Sequence, residues 1–240
     1  MARSPGSRGG AAVAVGAAGG AAGGAAGGAA DLAPPLIAAR LAEVVAELAA
    51  RDPDLAGIVA RLGPPPLWDR EPGCPTLLHI VLEQVSLASA RAAFDRLRAL
   101  ADPLTPARFV ELNDAQLLAI GFSRQKARYG RALAEAIGSG ALDVDGLSAL
   151  DDEAVHRALQ AVPGIGPWTS TIYLLMVLGR PDVWPVGDIA LAAAIGDVKG
   201  LGRRPDATEI AELGEAWRPW RSVAARLFWH DYLGRRGRPG

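Results

Sequence analysis

The stretch Leu159-Gln-Ala-Val-Pro-Gly-Ile-Gly-Pro-Trp-Thr169 gives the strongest structural signal in the chain. A helical pattern precedes it, and a second one covers residues 167–178, where proline occupies a first-turn position that tolerates it. The glycines at 164 and 166 permit positive φ and let a foreign backbone approach closely. The sequence therefore predicts two helices joined by a tight hairpin, over about residues 151–179.

The hairpin also predicts an anion-binding site. Its turn leaves the amides of Gly164, Ile165 and Gly166 pointing outward, at the positive end of the next helix dipole. Such a group of amides suits a phosphate of a DNA backbone, and Thr169 is assigned to the same contact. Ile165 is expected to anchor the turn in the core. An ordinary helical corner with capping glycines is the alternative, but the longer pattern favours DNA contact.

The rest of the chain is predicted to be helical, with interruptions at turn residues. Strand signals are almost absent, so the predicted fold class is all-α. Periodicity and capping residues predict helices at 36–50, from 52, at 77–84 and 86–100 (continuous or broken near Gln84), at 113–121, 123–137, 189–195, 207–213 and 221–233. Residues 63–75 are predicted to form a rigid loop.

Composition separates a tail from a domain. Residues 1–31 are nearly all Ala and Gly, and burial of such a stretch cannot offset the entropy of ordering it. We therefore predict a disordered tail there; a targeting peptide is the alternative, although glycine-rich repeats suit a tail better. Residues 32–238 are predicted to form the helical domain. No later segment is long and uncharged enough to span a membrane.

Cysteine content and charge exclude several classes of site. Cys74 is the only cysteine, so no disulfide within the chain, cysteine zinc site or iron–sulfur cluster can form. A reducing, cytoplasmic setting is the simplest interpretation. The net charge is −1, so any nucleic-acid surface must come from local basic clusters. These clusters, each of which could equally be a solvated face, are Arg124, Lys126, Arg128 and Arg131; Arg218 and Arg221, of which Arg221 is expected to be partly buried; and Arg235, Arg236 and Arg238.

A carboxylate follows the hairpin, in the segment Pro185-Val-Gly-Asp188. Asp188 stands at the start of the next predicted helix. Aspartate is an excellent N-cap residue, so taken singly this position predicts no more than a helix cap. Chemistry at Asp188 is predicted only when several motifs are considered together.

Those motifs together resemble the helix-hairpin-helix (HhH-GPD) DNA glycosylase superfamily, in its alkylpurine branch of the 3-methyladenine DNA glycosylase II type. The hairpin and Pro185-Val-Gly-Asp188 are followed by Trp217-Arg-Pro-Trp-Arg-Ser-Val-Ala224. Ile80-Val-Leu-Glu-Gln-Val-Ser-Leu-Ala-Ser-Ala90 and Gly121-Phe-Ser-Arg-Gln-Lys-Ala-Arg-Tyr129 are similar to two further family motifs. The resemblance covers about residues 52–233. It implies a two-lobed helical fold with the active-site cleft between the lobes, here without an N-terminal β-lobe.

The resemblance assigns Asp188 the catalytic role. A carboxylate beside C1′ can stabilise an oxocarbenium ion and activate water, as in glycoside hydrolysis, and no cofactor is required. Bifunctional relatives carry a nucleophilic lysine where this chain has Trp168, and an indole cannot form a Schiff base. The implied activity is simple hydrolysis that leaves an abasic site.

Other assignments follow from the same resemblance. A base flipped out of the helix would enter an aromatic pocket. Gln84 would fill the gap that the base leaves, although Glu83 replaces the family's first glutamine. Main-chain carbonyls at the hairpin would hold a structural Na⁺ or K⁺. The assigned pocket residues are Trp168, Trp229, Ile172 and Tyr173, and the assigned carbonyls are those of Gln160, Val162 and Ile165. The resemblance also implies a monomer that binds double-stranded DNA with damaged bases and that does not bind a membrane.

Three alternatives stay open at this point. The chain could be a non-catalytic helix-hairpin-helix module that only binds DNA. It could be a glycosylase for another lesion class, although the missing lysine and the single cysteine argue against the oxidised-base and cluster-bearing branches. It could also be a structural helical protein with no DNA role. Among alkylpurine substrates, 3-methyladenine, 7-methylguanine, hypoxanthine and etheno-adenine are all candidates.

Overall fold

A computed structural model describes residues 32–84 and 87–237 of the chain. In this part of the protein the regular elements are α-helices and two short 3-10 helices, and none is a β-strand. The prediction of an all-α fold is confirmed. The predicted tail at 1–31 and Arg238 lie outside the described residues. Across these same residues, no helix combines the length and apolar character needed to cross a bilayer.

Short loops connect the helices. In chain order these are α1 (Ala38–Arg51), α2 (Pro53–Leu62), α3 (Cys74–Glu83), α4 (Leu87–Leu100), α5 (Pro106–Glu111), α6 (Asp114–Ala119), α7 (Arg124–Gly138), α8 (Asp152–Gln160), α9 (Pro167–Met176), α10 (Ile189–Val198), α11 (Ala207–Gly214) and α12 (Arg221–Arg235). The 3-10 helices are Gly146–Ala149 and Glu215–Trp217.

Polar caps explain where many of these helices begin. Each cap side chain accepts a hydrogen bond from a backbone N–H two or three residues later, which satisfies a donor that the helix itself leaves free. The residues that do this are Asp52, Thr105, Asn113, Ser123, Asp151, Asp188 and Asp206. Because such caps are local, most helix starts lie close to their predicted positions.

Two elements differ from the prediction. Helix α3 begins at Cys74, inside the segment predicted as a loop, because Pro75 fits the first helical turn after the Gly73 cap. Helix α5 was not predicted, although Thr105 caps it and Pro106 opens it. The sequence left open whether residues 77–100 form a continuous helix or one broken near Gln84, and the structure shows two helices, since α3 ends at Glu83 and α4 begins at Leu87.

The helices pack in two groups that share one continuous apolar core. In the first group α3 packs against α4, α7 and α9, while α5 and α6 pack on α7 and α8 packs on α9. In the second group α1, α2 and α10 pack on α12. The hairpin therefore belongs to the first group, and Asp188 to the second. This arrangement agrees with the two lobes that the resemblance implies.

A buried arginine fixes the linker between α2 and α3. Arg226 on α12 is only 1% exposed and donates hydrogen bonds to the carbonyls of Leu67 (2.7 Å), Leu175 (2.9 Å) and Ser222 (3.2 Å). Burial lowers the pKa of Arg226 to about 10, so the guanidinium is still charged at neutral pH. The linker also donates the backbone N–H of Arg70 to the α9 carbonyl of Met176, at 3.0 Å. These bonds hold residues 67–70 against α9 and α12, at the boundary between the two groups of helices.

Candidate active site

The two hairpin glycines have different roles. Gly164 has φ +94°, and a Cβ there would lie 2.2 Å from Cγ of Tyr129, so only glycine fits. Gly166 has φ −98°, and a Cβ there would meet no atom within 4 Å. Positive φ is thus needed at one glycine only. Gly166 instead leaves an open surface at the N-terminus of α9.

Ile165 anchors the turn as predicted. Ile165 is 5% exposed, and Val162 in the same turn is 4% exposed. The Ile165 N–H donates to the Val162 carbonyl at 3.1 Å, which closes the turn. The hairpin is therefore held by burial from below, while its glycine side stays accessible.

Asp188 is held by three N–H donors from three helices. Its Oδ1 accepts from the Leu191 backbone N–H (2.7 Å) and from Nε1 of Trp229 (3.1 Å). Its Oδ2 accepts from Nε1 of Trp168 at 2.9 Å. The capping role and a role in the cleft coexist, because the cap bond uses Oδ1. Among the described residues Oδ2 has one donor only, which leaves a lone pair for a water molecule.

These groups line a cleft of about 810 Å³ between the two groups of helices. Asp188 is 9% exposed and borders this cleft, so its carboxylate is recessed yet reachable. The walls combine aromatic rings, aliphatic side chains and a few charges. Among them are Trp68, Trp168, Trp229, Tyr232, Ile172, Met176, Arg70, Glu83 and Asp188. This volume and lining suit a flat heterocyclic ring.

Tyr173 requires a correction. The sequence-based assignment placed it in the pocket with Ile172, but Tyr173 is 0% exposed and does not border the cleft. Neighbouring residues on a helix point about 100° apart, so when Ile172 faces the cleft Tyr173 faces the core. Burial raises the pKa of Tyr173 to about 12, and its hydroxyl has no hydrogen-bond partner among the described residues.

Several residues of the cleft were missed by sequence reasoning, among them Trp68, Arg70 and Glu83. Trp68 has φ +49°, the only positive φ of a non-glycine residue in the described chain. Such a backbone persists only where surrounding contacts impose it, and it is common in functional sites. The proline-rich segment predicted a rigid loop, but nothing in its pattern showed that the loop faces Asp188.

Gln84 and Thr169 connect α3 to the hairpin. Nε2 of Gln84 donates to the Gly164 carbonyl (3.1 Å) and to Oγ1 of Thr169 (3.2 Å). Gln84 is exposed at the cleft rim, whereas Thr169 is 1% exposed. The Thr169 side chain is therefore covered. The assignments of Gln84 as the residue that enters the duplex and of Thr169 as a phosphate contact both stay predictions.

Several basic residues hold the fold together. Arg221 is confirmed as partly buried, and its guanidinium binds Asp182. Lys126 donates to the Leu82 carbonyl at 2.7 Å, and burial lowers its pKa. Arg236, by contrast, borders the cleft and lies 4.1 Å over the ring of Tyr232. Arg124 and Arg128 are exposed beside the hairpin partner Tyr129.

Comparison with known proteins identifies the class to which this fold and cleft belong. Residues 78–219, more than half of the chain, match the family model described as HhH-GPD superfamily base excision DNA repair protein. The chain belongs to this superfamily. The matched region includes residues 78–83 of α3, the hairpin and Asp188.

Individual relatives point to one branch of the superfamily. DNA-3-methyladenine glycosylase 1 of Schizosaccharomyces pombe is 26% identical over 164 residues, which cover 67% of this chain and 72% of that protein. DNA-3-methyladenine glycosylase of Bacillus subtilis is 29% identical over 122 residues, 51% of this chain and 40% of that protein. The chain thus spans less than half the length of this relative.

A solved structure shares the fold. The S. pombe 3-methyladenine DNA glycosylase in complex with abasic DNA superposes with a TM-score of 0.74 and 25% identity. The superposition covers 78% of this chain and 95% of that one. A DNA-3-methyladenine glycosidase from Bacillus halodurans has a TM-score of 0.64 and 28% identity, and the match covers 79% of this chain and 88% of that one.

Proposed function

We propose that this protein is a monofunctional DNA glycosylase that hydrolyses the N-glycosidic bond of alkylated purines. The observation that carries the proposal is the Asp188 carboxylate, recessed at an aromatic cleft and held there by the indoles of Trp168 and Trp229. A helix cap alone needs neither indole. The names of the relatives support the same substrate class.

The reaction needs little more than this geometry. An N-alkylated purine is cationic, so the electron pair of the C1′–N bond leaves with it readily and the sugar becomes an oxocarbenium ion. Asp188 stabilises that charge and accepts a proton from the water that attacks C1′. Trp168 occupies the position of the nucleophile in bifunctional relatives and offers no amine. Strand cleavage through a Schiff base is therefore not part of the proposal.

Substrate binding would use the hairpin and the cleft together. A DNA phosphate would approach the open side of Gly166, at the positive end of α9. The extruded base would stack on the rings of Trp68, Trp168 or Trp229, which favour a cationic base by cation–π attraction. Gln84, at the cleft rim, would enter the duplex in its place, and binding would weaken with rising salt.

The remaining assignments belong to the same proposal. Carbonyls of Gln160, Val162 and Ile165 would hold a Na⁺ or K⁺, whose positive charge would attract a DNA phosphate. The Val162 carbonyl already accepts a hydrogen bond, and its second lone pair would serve the cation. The enzyme would act as a monomer on double-stranded DNA.

Defined duplexes test the proposal. Each carries one lesion, and alkali cleavage after incubation reveals abasic sites, while a parallel sample without alkali reports strand cleavage by the protein. We expect base release without direct strand cleavage. Asp188→Asn should slow release by at least about 100-fold, because the amide keeps the cap but lacks the charge.

A matched control separates charge from capping. Asp206 also caps a helix, α11, by accepting hydrogen bonds from the backbone N–H groups of Thr208 and Glu209, and it lies outside the cleft lining. Asp206→Asn should therefore release bases at the wild-type rate. DNA binding by Asp188→Asn should be equal or tighter, because a negative charge is removed. Wild-type activity in Asp188→Asn would refute the catalytic assignment and favour a module that only binds DNA.

A further inference from the structure

An ion pair forms part of the cleft wall, and the reaction above gives it no role. The guanidinium of Arg70 binds the Glu83 carboxylate through two hydrogen bonds, from NH1 to Oε2 at 3.0 Å and from NH2 to Oε1 at 2.8 Å. The Glu83 side chain is 6% exposed and that of Arg70 is 23% exposed. Arg70 is therefore the member of the pair that a bound base would meet.

The pair is fixed from both sides. The backbone of Arg70 is bonded to Met176, and the linker before it is held by Arg226. Behind Glu83, Nε2 of His79 lies 3.6 Å from Oε1, and the His79 ring stacks on Phe94 with centroids 4.3 Å apart. Burial lowers the pKa of His79 and so disfavours its charged form, whereas Arg70 supplies the cation that balances Glu83.

The chemistry of the guanidinium makes this wall selective. Arginine carries five N–H donors and no acceptor. Glu83 uses two of them, and among the described residues no other side chain or carbonyl accepts from the rest. A purine with a carbonyl at C6 presents an acceptor to such donors, whereas an adenine-type base presents an amino group there. A donor facing a donor leaves both without a partner after desolvation.

We propose that Arg70, held in place by Glu83, is a specificity-determining residue that donates to the C6 carbonyl of the flipped base. The site would then favour 6-oxopurines, such as 7-methylguanine and hypoxanthine, over adenine-type lesions. For hypoxanthine, a neutral base, the electron pair of the broken bond spreads onto the ring and its oxygen. The guanidinium stabilises that charge as it develops. This inference rests on the proposed glycosylase function.

Competition within one tube tests the proposal. Methylated genomic DNA contains 7-methylguanine and 3-methyladenine together, and chromatography of the released bases gives their ratio for each variant. A separate duplex with hypoxanthine extends the comparison to a neutral 6-oxopurine. The test variant is Arg70→Met/Glu83→Gln, which removes the guanidinium without leaving a buried carboxylate unpaired.

We expect this variant to lower both ratios, 7-methylguanine to 3-methyladenine and hypoxanthine to 3-methyladenine, by about ten- to hundredfold. Release of 3-methyladenine should stay within about threefold, and it serves as the internal measure of folding. If the double variant does not fold, the ratios of released bases are measured with Arg70→Lys, which keeps the charge but loses the planar pair of donors. Its ratios should fall less, but in the same direction.

Two controls separate the possible failures. Arg203→Met removes another paired arginine, on Glu209 outside the cleft lining, and should leave the ratios unchanged. Unchanged ratios in an active Arg70 variant would overturn the inference while leaving the glycosylase function intact. Absence of base release by the wild-type protein on every substrate would instead contradict the proposed function.

Discussion

The hairpin glycines offer a test in which two similar substitutions have opposite consequences. At Gly164 an alanine would need an unfavourable positive φ, and its Cβ would lie 2.2 Å from the Tyr129 ring. The backbone strain costs about 1–2 kcal/mol, and overpacking adds about 1–3 kcal/mol. Gly164→Ala should therefore lower the free energy of unfolding by about 2–5 kcal/mol, which for a chain of this size lowers Tm by roughly 5–20 °C.

At Gly166 the same substitution should leave the fold intact. Its φ is −98°, and the new methyl group would enter open space. In the proposed function a DNA phosphate approaches through that space, and a charge-assisted hydrogen bond lost there corresponds to about a ten- to hundredfold rise in Kd for DNA. Calorimetric melting and fluorescence anisotropy with an abasic duplex at fixed salt measure the two effects. Wild-type stability in Gly164→Ala, or wild-type affinity in Gly166→Ala, would refute this division of roles.

Two further substitutions test the interactions of buried carboxylates. Trp168→Phe keeps an aromatic ring but removes the N–H bound to Oδ2 of Asp188, so single-turnover base release should slow about ten- to hundredfold. Trp220→Phe is the control: it loses a surface hydrogen bond to Glu47 and should not change the rate of base release. Burial raises the pKa of Asp52, but hydrogen bonds from Trp217 and Lys199 outweigh burial and leave the pKa below its ordinary value. Its contribution to stability is therefore complete above about pH 4 and disappears at lower pH. The difference in Tm between wild type and Asp52→Asn should be largest at neutral pH and shrink as the pH falls towards 3; a difference independent of pH would contradict this assignment.

Features coded by neighbouring residues could be predicted from the sequence. The caps at Asn113, Ser123 and Asp188 each act within one helical turn, and the hairpin needs only its own glycines and Ile165. Helix starts, fold class and the carboxylate after the hairpin follow from such short-range patterns. The family resemblance, and not a local pattern, assigned Trp168 and Trp229 to the cleft, which both line.

Features set by distant contacts could not be predicted in this way. The orientation of α9 decides that Ile172 faces the cleft and Tyr173 the core, and that orientation depends on packing between helices. The linker residues Trp68 and Arg70 reach the cleft because Arg226, far along the chain, binds the Leu67 carbonyl. Periodicity contains no information on such a bond, so the sequence did not place Trp68 and Arg70 at the cleft.

The position of Trp229 on α12 makes completion of the carboxylate site depend on the last helix. During translation the hairpin and Asp188 are synthesised before α12, which carries Trp229, the second indole donor to Asp188. The same helix packs against α2, whose Leu55 and Ile58 are fully buried in the complete fold. An unfinished chain therefore lacks the final donor of its carboxylate while it displays a hydrophobic face that chaperones and proteases bind. Quality control would remove such a fragment before it could act on a genome.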